Sequence, residues 1–134
     1  MRDTTVVGDI AELMVQASLT KHRHDVAKPI SNSKRYDLLW FVNGEWTRVQ
    51  VKNGRYREGA VRFNSCNLGR NGRKDYRGEV DYFGVFCDEL GEVYMVPVDE
   101  VGITEVSLRV DPPKNNQTRN VRMAEPYRTW WRAN

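Results

Sequence analysis

Two segments with strand character, Tyr36–Val42 (YDLLWFV) and Glu45–Asn53 (EWTRVQVKN), flank Asn43-Gly44, and together they carry Asp37, Gln50 and Lys52. Asn-Gly supplies the pair of positive-φ residues that a type I′ turn requires, so the segments are expected to form an antiparallel hairpin. Asp37 near the start of the first strand and Lys52 near the end of the second then meet at one end of the hairpin. Gln50 is two residues before Lys52, and side chains two apart on a strand share a face. The three groups can therefore share one site. Carboxylate and carbonyl oxygens are the hard donors that hold Mg²⁺ against a phosphodiester, and a lysine beside them can orient or deprotonate the attacking water.

Other elements must position this hairpin. Residues 5–20 (TVVGDIAELMVQASLT) have helical periodicity, with Asp3, Thr4 or Thr5 available as a cap. Val6, Ile10, Leu13, Met14 and Ala17 form the expected core stripe, and Gly8, Ala11, Val15 and Leu19 a second apolar stripe. Glu12 lies on the edge of the second stripe, where a carboxylate among apolar neighbours needs a partner. Asp25–Ser31 suits an edge strand, because Pro29 removes a ladder donor. Ala60–Cys66 reads as a strand followed by a loop at Asn67–Lys74 rich in Gly, Asn and Arg. Asp81–Cys87 and Glu92–Val98, joined by a turn at Asp88–Gly91, read as a second hairpin, with Val106–Val110 as a last strand. One helix and a largely antiparallel or mixed sheet make an α/β or α+β domain.

A glutamate on a helix, an aspartate on a strand and a (D/E)-x-K triplet on the next strand form the pattern of the PD-(D/E)XK nuclease superfamily. Glu12, Asp37 and Gln50-Val51-Lys52 resemble that pattern, over roughly residues 5 to 98. The chain departs from it in having Tyr36 before the aspartate and a glutamine in place of the acidic member. A Q-x-K triplet among the phrases YDLLW, VQVKNG, VDYFGVF and VYMVPV is similar to the small endonucleases associated with group I introns. Archaeal Holliday-junction resolvases share the layout but carry the acidic triplet.

The resemblance implies a restriction-endonuclease-like core, a mixed β-sheet with flanking helices, that hydrolyses double-stranded DNA with Mg²⁺, Mn²⁺ substituting. Glu12, Asp37, Gln50 and Lys52 would be catalytic. The metal ligands would be Asp37, the amide oxygen of Gln50, the backbone carbonyl of Val51, and Glu12 or a water that it holds. Lys52 would contact the nucleophilic water and the phosphate. One chain carries one such site, so a double-strand break implies a homodimer or homotetramer. A structure-selective nuclease like the junction resolvases, a DNA-binding module without catalysis, and an RNA-directed protein are the alternatives.

Charge separates sharply along the chain: residues 1–20 sum to −2, residues 21–77 to +9, residues 78–108 to −8 and residues 109–134 to +4. Such blocks suggest one strongly positive surface suited to nucleic acid. Arg55, Arg57, Arg62, Arg70, Arg73, Lys74 and Arg77 are the expected DNA contacts, with Asn64, Ser65 and Tyr76 able to reach phosphates. His22 and His24 read as a solvated basic loop, and Asp81 as an outer member of the site or a turn residue. Cys66 and Cys87 make no zinc pattern and are expected to be free thiols. Trp130-Trp131 suggest packing or a subunit contact. The chain is expected to be a single domain over 1–134, its core about 5–110 and residues 111–134 a C-terminal extension that opens on Asp111-Pro112-Pro113. With no apolar run near the roughly 18 residues of a membrane helix and no signal-like N-terminus, it is expected in the cytoplasm.

Overall fold

The computed structural model describes residues 4–31, 33–69, 72–113 and 121–129, with the backbone alone for 67–69 and 72–75. Asp3, Arg70, Trp130 and Trp131, and the side chains of Arg73 and Lys74, lie outside the described residues. One α-helix, α1 (Thr4–Lys21), precedes β1 (Asp25–Ala27), β2 (Leu38–Val42), β3 (Glu45–Arg57) and β4 (Ala60–Asn64). A short ribbon, β5 (Cys66–Gly69) with β6 (Gly72–Asp75), stands apart from the main sheet. Then come β7 (Tyr82–Cys87), β8 (Glu92–Pro97) and β9 (Glu105–Arg109). Seven strands form the main sheet, and every pairing in it is antiparallel except that of β3 with β7. This is the expected α+β arrangement with a mixed sheet, with one α-helix among the described residues.

Turn chemistry sets the register. Asn43 (φ 54°) and Gly44 (φ 82°) close the β2–β3 hairpin in the left-handed region, pairing Val42 with Glu45 and Leu38 with Val49. Glu58 (φ 52°) and Gly59 (φ 80°) repeat the device between β3 and β4. The thirteen residues of β3 therefore serve three neighbours: β2 along its first half, β7 from Val49 to Gly54, and β4 at its far end.

Helix α1 packs through Ala11, Val15 and Leu19, all buried, and not through the stripe expected to be its core face. Val6, Leu13 and Met14 are 49%, 62% and 39% exposed. Close approach is the physical reason. A Cβ on Gly84 of β7 would lie 3.0 Å from Val15 Cγ1 and 3.0 Å from Val49 Cγ1, so the missing side chain leaves a notch that Val15 of the helix fills. Burying Val15 and Leu19 fully contributes about 1.5–3 kcal/mol each.

The stretch expected as a loop at Asn67–Lys74 is mostly the β5–β6 ribbon. Residues 121–129 return to the sheet: Ala124 and Tyr127 join the core beneath β7, β8 and β9, and Thr129 bonds Ser18 of α1 at 2.8 Å.

Candidate active site

Asp37 precedes β2 by one residue and is docked on β3 twice. Its backbone N–H donates to Val49 O at 2.8 Å, and its Oδ2 accepts from the Val51 N–H at 2.9 Å. Just ahead of β2, where its ladder with β3 ends at Leu38 and Val49, the carboxylate thus takes over as the acceptor for the Val51 N–H. Burial pushes the Asp37 carboxyl above the usual carboxylate range. The Val51 N–H opposes that rise, the Glu12 charge adds to it, and Lys52 and Lys28 oppose it. Glu12, Lys28 and Lys52 therefore all lie close enough to act on one carboxylate.

Gln50 is half-buried on β3, and its Nε2 donates to the Val51 carbonyl at 3.5 Å, so the amide and that carbonyl are adjacent. Lys52 donates from Nζ to the Tyr76 hydroxyl at 3.1 Å, with Nζ 4.5 Å from the Tyr76 ring centroid. Glu12, half-buried beside Ala11, has its Oε1 2.7 Å from Lys28 Nζ. The partner that Glu12 needed is thus a lysine the sequence reading passed over. Its signal lay in the direction of β1: Ala27 pairs with Leu39, so the next residue, Lys28, runs alongside the segment that carries Asp37.

No group of three His, Cys, Asp or Glu among the described residues can hold a metal by itself. The donors the expected ligands could offer are instead a carboxylate, an amide and a peptide carbonyl, all hard oxygens of the kind that suit Mg²⁺ or Mn²⁺. A desolvated carboxylate whose pKa is raised beside a second carboxylate is also one that a cation would stabilise. The residues fit a hard divalent ion.

Other candidates are engaged elsewhere. His22 Nδ1 is 2.8 Å from Ser18 O in the last turn of α1. His24 is buried with its ring edge-on to Trp40 at 5.4 Å, and burial pushes its pKa down, so it is not solvated as expected. Asp81 is gripped by Arg48, accepting from Nε at 3.1 Å, Nη2 at 3.1 Å and the backbone N–H at 2.7 Å, which ties β3 to the start of β7. Cys66 and Cys87 are free, and burial pushes the Cys87 thiol up.

The basic residues divide. Arg55 and Arg62 are cross-strand partners, and Ser107 of β9 lies beside Arg62, so β3, β4 and β9 present Arg55, Arg57, Arg62, Asn64, Ser107 and Arg109 on one polar face. Arg109 and Ser107 were missed because β9 reaches this face only through its pairing with β4. Strand alternation puts Arg55 and Arg57 on the face of β3 opposite Lys52. Ser65 is buried and donates to Gly102 O at 2.6 Å, and Tyr76 is buried too, so neither lies on the surface where a phosphate contact was expected. Arg77 is exposed and donates to Val101 O at 3.1 Å.

A family model described as PD-(D/E)XK endonuclease matches residues 2–130. Protein 5.3 of Escherichia phage T7 is 29% identical over 107 residues, covering 75% of this chain and 86% of the phage protein. A solved bacterial homing endonuclease, I-Ssp6803I, superposes with a TM-score of 0.73 at 27% identity, covering 97% of this chain and 91% of its own.

Proposed function

The chain belongs to the PD-(D/E)XK endonucleases, DNA-cleaving enzymes that use divalent metal ions, and from that premise we propose that it cuts both strands of duplex DNA at a specific site with Mg²⁺, as a homing-type enzyme. The observation that carries the proposal is the half-buried Asp37 carboxylate, held 2.9 Å from the N–H of Val51, the residue between Gln50 and Lys52 in the chain, with Glu12 paired to Lys28 and the charges of Glu12, Lys52 and Lys28 acting on it. The likeness to a homing endonuclease, at 27% identity over 97% of this chain, supports the homing reading.

Asp37, the Gln50 amide oxygen and the Val51 carbonyl would hold the ion, with Glu12 binding it directly or through water. The ion would offset phosphate charge and lower the pKa of a bound water. The chain's own groups do the rest. Val51 N–H fixes the Asp37 carboxylate, leaving Oδ1 for the ion. Lys52 directs its ammonium at the attacking water and the scissile phosphate. Glutamine removes one negative charge that an acidic triplet would supply, which weakens cation attraction without removing an oxygen donor.

A double-strand break needs two such sites, so the enzyme acts as a homodimer or homotetramer. The exposed apolar residues Val6, Leu13 and Met14 on α1 support that reading. Incubating the purified protein with Mg²⁺ and either plasmid DNA or a synthetic four-way junction tests the activity. Double-strand cuts in plasmid support the proposal, symmetric junction nicking alone would favour a resolvase, and no product with either would favour a DNA-binding module. Sedimentation at micromolar concentration tests the assembly, and a monomer would count against it.

A further inference from the structure

We propose that Tyr76 is a positioning residue for cleavage, its hydroxyl holding the Lys52 ammonium so that the two remaining N–H groups face the reacting phosphate and water. The inference rests on the reading of Lys52 given above. An ammonium has three donors and no acceptor, so in the 3.1 Å contact Lys52 donates and the Tyr76 oxygen accepts. One donor is thereby fixed, and the rotation of the ammonium with it. The ring adds a second restraint, since Nζ lies 4.5 Å from its centroid, within cation–π range.

A restraint works only if it is itself held. Tyr76 is 4% exposed. Its ring stands perpendicular to Phe83 of β7 with centroids 5.5 Å apart, and Phe83 is the register partner of Gln50. The Arg35 guanidinium carbon lies 3.8 Å from the Tyr76 centroid, and Arg35 is paired with Glu79 at 3.3 Å. Two parts of the chain thus fix the ring: the segment before β2, through Arg35, and β7, through Phe83. A phenylalanine would fill the same volume. The hydroxyl adds only the bond to Lys52, and a buried hydroxyl left without a partner is costly, which couples the two residues.

Tyr76→Phe keeps the ring, its stacking and its volume, and removes the acceptor. With Mg²⁺ and a cleavable duplex, kcat is expected to fall about tenfold, the worth of one hydrogen bond to a charged group. KM for DNA, Mn²⁺ affinity by titration calorimetry and the melting temperature should stay near wild type. A second readout needs no substrate: acylation of the Lys52 amine, followed by peptide mass spectrometry, should speed up in Tyr76→Phe. An unchanged kcat, or a slowed kcat with unchanged Lys52 reactivity, overturns the proposal, as does a parallel loss of DNA binding and melting temperature. Lys52→Ala separates the two levels. If it still cuts at wild-type rate, the reading of Lys52 fails. If it is inactive while Tyr76→Phe is not slowed, only the role of Tyr76 fails.

Discussion

Lys28 Nζ stands 2.7 Å from Glu12 Oε1 and is the second cation whose charge reaches Asp37. The Lys28 side chain is 58% exposed, so the pair contributes under about 1 kcal/mol to stability. Its larger effect is on the charge of the site, where it offsets the carboxylates that a divalent ion would need. Lys28→Met should therefore leave melting nearly unchanged and tighten Mn²⁺ binding about three- to tenfold, measured by titration calorimetry. Equal or weaker binding would mean that Glu12 and Lys28 lie outside the ion's surroundings.

Asp37→Asn and Lys52→Ala should each lose cleavage while folding and binding DNA normally. Asparagine keeps an oxygen to accept the Val51 N–H, so the docking of residue 37 on β3 survives while the negative charge does not. Melting curves, filter binding and plasmid cleavage check the three properties separately. Cleavage near wild-type rate by either variant would remove that residue from the site.

Gln50 tests the charge argument from the other side. Gln50→Glu restores the acidic triplet and should tighten Mg²⁺ binding with activity preserved, whereas Gln50→Leu keeps the volume, removes the oxygen donor and should abolish cleavage. A Gln50→Leu variant that titrates Mg²⁺ like wild type would show that the amide is not a ligand.

Much of this site was legible because hairpin geometry is local. Asn43-Gly44 fixes the register, the register fixes which ends meet, and alternation fixes that Gln50 and Lys52 share a face. What was not legible depends on packing at a distance. The helix faces were inverted because the notch at Gly84 receives Val15 and so turns the face of Ala11, Val15 and Leu19 to the sheet, and helical periodicity carries no information about the opposing sheet. Lys28 was missed for want of the direction of β1. Ser65 and Tyr76 looked like surface donors because the residues they pack or bond with, Gly102 for Ser65 and Arg35 for Tyr76, are distant in sequence.

Arg48 and Asp81 should give stability a measurable pH dependence. Arg48 holds the Asp81 carboxyl below its ordinary value of 3.8. A carboxyl with a depressed folded-state pKa stabilises the fold fully above that ordinary value and loses the contribution as pH falls through the lower, folded one. Both side chains are 37% exposed, so solvent screening limits the pair to about 1 kcal/mol. Asp81→Asn should melt lower than wild type at pH 7, and the gap should narrow progressively as pH falls below about 4. A gap that does not narrow as the carboxylate is protonated would assign the effect to packing and not to the ion pair.

The polar face of β3, β4 and β9 makes the sharpest claim about DNA. Arg55 and Arg57 are exposed, and Arg109 joins them through β9, whereas Arg62 is half-buried with its nearest carboxylate, that of Glu58, 3.9 Å away. An exposed arginine that neutralises a phosphate should, as alanine, lower affinity for all sequences alike and flatten the log–log salt slope by about one unit. Arg62, held in the middle of the face between Arg55 and Ser107, is better placed to read a base edge, where a bidentate contact to guanine is worth about 1–3 kcal/mol. Arg62→Ala should therefore relax site choice at one position with little change in slope. Because Arg55 and Arg57 lie on the face of β3 opposite Lys52, a duplex that contacts both must reach from one face of the sheet to the other. If Arg55, Arg57, Arg62 and Arg109 can each become alanine with affinity, salt slope and site choice unchanged, the duplex follows a different surface, and the net charge of +9 over residues 21–77 must act through residues outside this face.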